Sequence, residues 1–483
     1  MIVRIIVVSV YALLIISMGI LGMRKTRTFS DFFLGGGKIG PWMTAFTYGT
    51  AYFSAVLFIG FAGSIGWNFG YSGLWITVGN TLIGVLGVWW LLGYRIKKMS
   101  IEYNVATMSE FFEKRYDSKF LKAFSAICIF IFMIPYSAAV FNGLSYLFQS
   151  NFGIDYTVAL TFMGLFTAIY LVMGGYKSMT MVDVFFGIIM IAGVIILIAS
   201  TIRTGGGLSH MTATLHQIHP RLTASVGPPG LWPLISLVVL TSVAPMAMPQ
   251  LIQKFYAIKD KRSIHIGMIA SSGFAILVSG TAYFTGATTR LFLSPETTPD
   301  AFSNGTPLVD SIMPVFLATI IPESLSILIL LLILSASMST LAALILISSS
   351  AIAKDLYAGF INPEVSDITL TRLMRYLSAF FIVVSVIFAY FRFATIVAIL
   401  GVSWGAIGSV FLGPFFWGLM SRKTNKYGAI ASAILGLGTC LVLSFTGSPS
   451  PEAGTIGMIV SFVVPPIVSA LVPQKTVVSE LSS

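Results

Sequence analysis

The residues best placed to do chemistry in this chain carry oxygen rather than charge. Leu334-Ser335-Ala336-Ser337-Met338-Ser339-Thr340-Leu341 lies inside a long apolar run, with Ser348-Ser349-Ser350 further along. Ala336, Ser339 and Thr340 are spaced i, i+3 and i+4, so they share one helix face. Hard cations take oxygen ligands, and hydroxyls with backbone carbonyls can supply them. Upstream, Tyr48-Gly49-Thr50-Ala51-Tyr52-Phe53-Ser54 sets Gly and hydroxyl residues in the middle of another apolar run. Unwinding there would free the carbonyls of Thr50 and Phe53 for the same ion. The plainer reading of such Ser and Thr residues is that they let helices pack closely in a membrane.

A second weak point falls at Thr241-Ser242-Val243-Ala244-Pro245-Met246-Ala247-Met248-Pro249-Gln250. Two prolines four apart remove two helix hydrogen bonds, so the helix must kink or unwind. Irregular backbone at membrane depth is tolerated only against protein or a watery cavity. Asp155, Asp183, Asp310, Glu323 and Asp355 all read as lying at or beyond span ends. A proton relay buries carboxylates, so their placement favours sodium over protons. Asp183 follows Gly174-Gly175-Tyr176-Lys177-Ser178-Met179-Thr180, where it can cap a helix start or serve as a waypoint for a departing cation. Gly35-Gly36-Gly37-Lys38 is followed by Ile39 and preceded by no strand, which excludes a phosphate loop. His210, His216, His219 and His265 read as loop or span-edge residues. Cys128 and Cys440 read as packing residues. No buried His or Asp cluster suggests an enzyme, and no Lys or Arg reads as buried near the breaks.

These positions need apolar helices to hold them. Of 483 residues, 56% are hydrophobic and 9% charged, a membrane composition. A span takes about twenty residues. The segmentation is 3–23, 41–66, 72–94, 120–148, 155–175, 183–202, 231–256, 263–291, 322–355, 370–392, 395–420, 428–447 and 455–472. Of the 28 Lys and Arg residues, 23 fall in alternate loops. The exceptions are Arg4, Arg203, Arg221, Arg290 and Arg392. Basic residues stay cytoplasmic, so the N-terminus is expected outside and the C-terminus inside. The net charge of +11 then records topology rather than nucleic-acid binding. The weak points open two successive five-span sets, residues 41–202 and 231–420. Five is odd, so the second set enters from the opposite face, which is the arithmetic of an inverted repeat.

Three motifs in order resemble the sodium:solute symporter family. They are Ser30-Asp31 through Leu34-Gly35-Gly36 with Gly40-Pro41-Trp42; the 174–183 stretch ending in Asp183; and Met338-Ser339-Thr340 with Ser349-Ser350 and Asp355. The resemblance implies an all-α polytopic membrane protein of 13 transmembrane helices in one domain. Its leucine-transporter-like core would hold two inverted five-helix repeats, with peripheral helices at 3–23 and 428–472. It implies sodium bound by the carbonyls of Thr50, Phe53 and Ala336 and the hydroxyls of Ser339 and Thr340, with Asp183 on a possible exit path. It implies solute contacts at Tyr52, Ser54, Tyr136, Thr241, Pro245, Pro249, Ser403 and Trp404. Proline carriers of the family place an aspartate where Tyr52 stands here.

The function expected is uptake of a small organic solute, a monocarboxylate or amino acid favoured, coupled to inward sodium flow across the cell membrane. Alternatives are a proton-coupled or sodium-independent carrier of the same fold, or a sodium/proline or sodium/pantothenate symporter. The expected partners are sodium, the solute and the bilayer, with no organic cofactor and no nucleic acid. A solute carboxylate would sit at the exposed N-terminus of a half-helix, where free amides and the helix dipole favour it.

Overall fold

A computed structural model describes residues 2–23, 28–37 and 39–472. Arg24, Lys25, Arg27, Lys38 and Lys475, part of the expected topological charge pattern, lie outside the described residues. The fold is helical. In chain order α1 spans Ile2–Met23, α2 Phe29–Leu34, α3 Pro41–Tyr52, α4 56–69, α5 74–102, α6 Met108–Tyr116, α7 Lys119–Phe152 and α8 Tyr156–Thr204. There follow α9 Leu208–Ile218, α10 Leu231–Val243, α11 Pro249–Ala257, α12 Lys261–Ala287, α13 Val309–Ile320 and α14 323–361. The chain ends in α15 Asp367–Phe391, α16 Ile396–Met420, α17 Lys426–Phe445 and α18 Ser450–Leu471. Among the described residues ten helices are long and apolar enough to cross a membrane; α10 with the residues that follow it and α11, bent by 41°, make an eleventh. Among the described residues the one β-hairpin, Phe302–Ser303 with Thr306–Pro307, sits between α12 and α13.

Both expected helix breaks are present. After Tyr52 the chain leaves the helix at Phe53 (φ −111°, ψ 116°) and resumes as α4. In the second, α10 tightens at 244–247, Met248 is extended (φ −79°, ψ 119°), and α11 starts on Pro249. A backbone bridge then ties the two broken helices together. Ile39 donates to the Ala257 carbonyl and Lys259 to the Ile39 carbonyl, both at 3.1 Å.

The expected spans 155–175 and 183–202 form one run, α8, divided at Gly175 (φ 66°, ψ −173°). This left-handed geometry suits glycine, and a Cβ there would lie 2.7 Å from the Phe32 ring. The second part of α8 starts at once, so Asp183 lies two turns inside a helix and is fully buried. It is neither a cap nor a span-end residue, which corrects the sequence expectation. His210 and His216 likewise lie on α9 rather than in a loop, and His216 Nδ1 faces the Thr223 hydroxyl at 2.9 Å.

Polar contacts group the helix ends as the charge pattern does. In one group, Lys97 donates to the Tyr256 carbonyl at 3.0 Å, and Arg115 to the Gly418 and Ser421 carbonyls at 3.0 and 2.6 Å. Lys354 pairs with Glu110 at 3.6 Å. In the other, Arg4 donates to the Asn151 carbonyl at 3.0 Å and Arg290 to the Trp67 carbonyl at 2.7 Å. The Arg392 guanidinium lies 4.5 Å from the Tyr156 ring centre.

Helix α14 is buried over most of its length and packs against α3, α7 and α8. The crossing of α4 and α12 is closer still. A Cβ on Gly286 would overlap the Ala62 carbonyl, and one on Gly66 the Gly286 backbone. Small residues permit such approaches where no hydrophobic drive exists between helices in lipid. Gly286→Leu is expected to lower the unfolding midpoint in detergent, since overpacking costs about 1–3 kcal/mol. An unchanged midpoint would contradict this crossing.

Candidate functional site

The second break begins with a missing proton. In an unbroken helix the Thr241 carbonyl would accept from the N–H of residue 245, and residue 245 is a proline. The Tyr52 hydroxyl donates to the Thr241 carbonyl instead, at 2.7 Å. Tyr52 is the last residue of α3, so one hydrogen bond joins the first break to the second.

The first break leaves the terminal carbonyls of α3 without helical donors. Helix α14 presents Thr340 to them. Its hydroxyl lies 3.3 Å from the Ala51 carbonyl, 3.5 Å from that of Thr50, and 3.1 Å from that of Ala336 on its own helix. A hydroxyl has one proton to give, so three carbonyls compete for it. Alongside, Ser339 donates to the Thr50 hydroxyl at 2.8 Å, which donates to the Phe46 carbonyl at 2.8 Å. Thr50, Ala336, Ser339 and Thr340 are all fully buried. Surplus acceptors in a dry site are costly, and a small hard cation satisfies them.

Four of the five residues expected to hold sodium therefore converge: Thr50, Ala336, Ser339 and Thr340. Phe53 marks the break, and its ring lines the adjacent cavity. Ala51 adds a carbonyl that the sequence reading omitted. Ser337, on the same turn of α14, accepts from the Ala55 N–H at 3.0 Å, and the Ser54 hydroxyl accepts from the Val56 N–H at 3.2 Å. The start of α4 is thus already capped by two hydroxyls. Those two amides are therefore engaged and not free for a solute carboxylate.

Beside the cage lies a cavity of about 20 Å³, bounded by both breaks, α5, α12 and α16. That is room for roughly one water, so admitting a solute requires the bundle to open. Tyr52, Ser54, Thr241 and Trp404 line it as expected, together with Phe53, Phe61, Asn80 and Tyr283. Tyr136 stands behind Trp404, ring centres 5.5 Å apart. Pro245 and Pro249 shape the break without lining the cavity. Ser403 points away and donates to the Phe132 carbonyl at 2.6 Å. Trp404 Nε1 is buried beside the cavity, next to the Tyr136 hydroxyl, without completing a hydrogen bond. Tyr283 was missed because one aromatic in an apolar helix gives no signal of which way it faces.

One more correction concerns charge. Lys254, counted with the loop lysines in the sequence reading, is fully buried in α11. Its ammonium lies 4.9 Å from the Tyr176 ring centre. It shares the buried space beside the cage with Asp183.

The model of the sodium:solute symporter family matches residues 32–436. The chain belongs to that family. It is a multi-pass membrane protein and a sodium-coupled solute transporter, not an enzyme. It is 26% identical to the osmoregulated proline transporter OpuE of Bacillus subtilis over 98% of this chain and 94% of the relative. It is 27% identical to the sodium/pantothenate symporter of Haemophilus influenzae over 86% of this chain and 85% of the relative. A solved Na+-coupled sialic acid symporter aligns with a TM-score of 0.82 over 97% of each chain, at 17% identity. A structure of Mhp1, a nucleobase-cation-symport-1 family transporter, aligns at 0.56 with 11% identity, covering 91% of this chain and 95% of that one. Both share the fold.

Thr340→Ala removes the hydroxyl that gathers the three carbonyls. Interactions with a charged partner are worth about 1.5–3 kcal/mol. The sodium concentration for half-maximal uptake is therefore expected to rise about tenfold or more. An unchanged sodium dependence in a folded, substrate-transporting variant would remove this residue from the site.

Proposed function

We propose that the chain takes up a small carboxylate-bearing solute, a monocarboxylate or amino acid, driven by sodium held between the α3–α4 break and α14. The observation that carries this reading is the acceptor surplus around Thr340. Sodium at that point would neutralise carbonyls from both halves of the bundle and so favour the arrangement that also holds solute. Each positive charge moving inward through about 100 mV contributes about 2.3 kcal/mol, to which the sodium gradient adds.

The carboxylate is supported by Trp404, whose buried indole N–H stands beside the Tyr136 hydroxyl without completing a bond to it and could turn to a stronger, charged acceptor. The solutes named for the relatives (proline, pantothenate and, for the solved neighbour, sialic acid) each carry one carboxyl group. The rest of the lining is aromatic with a few hydroxyls and one amide, which suits a compact, partly apolar body more than a sugar. Tyr52, standing where proline carriers place an aspartate and engaged with the Thr241 carbonyl, argues against proline itself.

The membrane arrangement proposed is 13 spans with the N-terminus outside and the C-terminus inside. Residues 41–202 and 231–420 form the two inverted repeats, and 3–23 and 428–472 are peripheral. The Gly175 division of α8, the paired breaks and the two groups of helix-end contacts support it.

Purified protein in liposomes should accumulate a labelled monocarboxylate or small neutral amino acid when sodium is outside. Uptake should rise with an inside-negative potential and vanish with potassium in place of sodium. Uptake driven equally by a proton gradient without sodium would favour a proton-coupled carrier instead. Trp404→Phe keeps an aromatic ring and deletes the donor. It should raise the solute concentration for half-maximal uptake about tenfold, an effect on the order of the cost of one charge-assisted hydrogen bond.

A further inference from the structure

Two opposite charges lie beside the sodium cage without hydrogen-bond partners. Neither Asp183 oxygen receives a hydrogen bond and the Lys254 ammonium donates none, although both residues are fully buried. The two charges act on each other, and the hydroxyls of Ser339 and Thr47 stand next to the carboxylate without completing a bond to it. Thr47 Oγ1 is itself unpartnered. Thr47 precedes Thr50 by three residues on α3, so the two share a face. Ser339 already belongs to the cage. The carboxylate therefore adjoins the ion site through two side chains, while Lys254 reaches it from α11, the half-helix beyond the second break.

While it is ionised, a carboxylate in this setting needs a cation beside it, because desolvation without a partner is costly. Sodium from the cage and the ammonium of Lys254 are the two candidates, and its single charge neutralises only one of them. In this structure the ammonium rests 4.9 Å from the Tyr176 ring centre, a place it can hold while not paired with the carboxylate. Tyr176 and Asp183 are seven residues apart on α8, two turns along one face.

We propose that Lys254 is a tethered cation that competes with sodium for Asp183 and so sets how readily the ion leaves the cage. With sodium at Asp183 the ammonium rests against Tyr176. When the ammonium takes the carboxylate, sodium loses its counter-charge and is released. Because Lys254 sits on the half-helix that follows the break, movement of α11 would couple that exchange to the opening of the bundle. This inference rests on the sodium site proposed above.

Equilibrium binding of radioactive sodium to the purified full-length protein tests it. Lys254→Met should tighten sodium binding about tenfold and slow sodium-coupled turnover, while Lys254→Arg should stay near the wild type. In an Asp183→Asn background, adding Lys254→Met should leave sodium affinity unchanged, because the lysine then has nothing to compete for. If the single Lys254→Met variant does not fold, Lys254→Gln takes its place in both backgrounds. Unchanged or weaker sodium binding in Lys254→Met would overturn the proposal. So would equal tightening with and without Asp183. Absence of sodium-specific binding in the wild type would instead sink the underlying site, a distinguishable result.

Discussion

Backbone carbonyls deprived of their helical donors inside a dry bundle are the constraint on which the rest of this structure depends. Each unpaired polar group in such a setting costs several kcal/mol, so the chain must supply donors or a cation wherever it interrupts a helix. It does both. The Tyr52 hydroxyl serves the carbonyl orphaned by Pro245, and Ser337 and Ser54 serve as acceptors for the amides that begin α4. At Thr50 and Ala51, and at Ala336 within the regular part of α14, it brings one hydroxyl proton to three oxygens. That shortfall is where the proposed ion would bind.

The same accounting separates the proposed ion site from the proposed solute cavity. Hydroxyls and amides of the α3–α4 break are committed to one another and to α14, which leaves little for a solute to bond. The cavity beyond the break is walled largely by aromatic rings, with the Trp404 indole N–H buried beside the Tyr136 hydroxyl without completing a bond. In the proposed arrangement sodium and solute lie on either side of one break without sharing ligand atoms, and coupling would pass through the position of that break.

Much of this was legible in the sequence because it rests on residue types with strong backbone consequences. Pro245 and Pro249 lack N–H groups wherever they stand, and the small and hydroxyl residues around Thr50 mark a helix that is easily interrupted. The i, i+3, i+4 spacing of Ala336, Ser339 and Thr340 survives folding because α14 is regular there. What failed depended on rotation and on starting points. Ser403 sits on a helix apolar on every side, so its sequence carries no hint that its hydroxyl faces α7. Asp183 was misplaced because hydropathy begins the span later than Gly175, where the second part of α8 begins. Lys254 was read as a topological charge like its neighbours Lys259 and Lys261, since a charge pattern assigns sides but not depth.

The most direct test of the central claim is a pair of cryo-electron microscopy maps of the full-length protein, one in sodium and one in potassium. The account predicts a helix interrupted at Phe53 and, in sodium only, a density peak enclosed by the carbonyls of Thr50 and Ala336 and the hydroxyls of Ser339 and Thr340. A continuous helix from 41 to 69, or no sodium-dependent density among those oxygens, would contradict it.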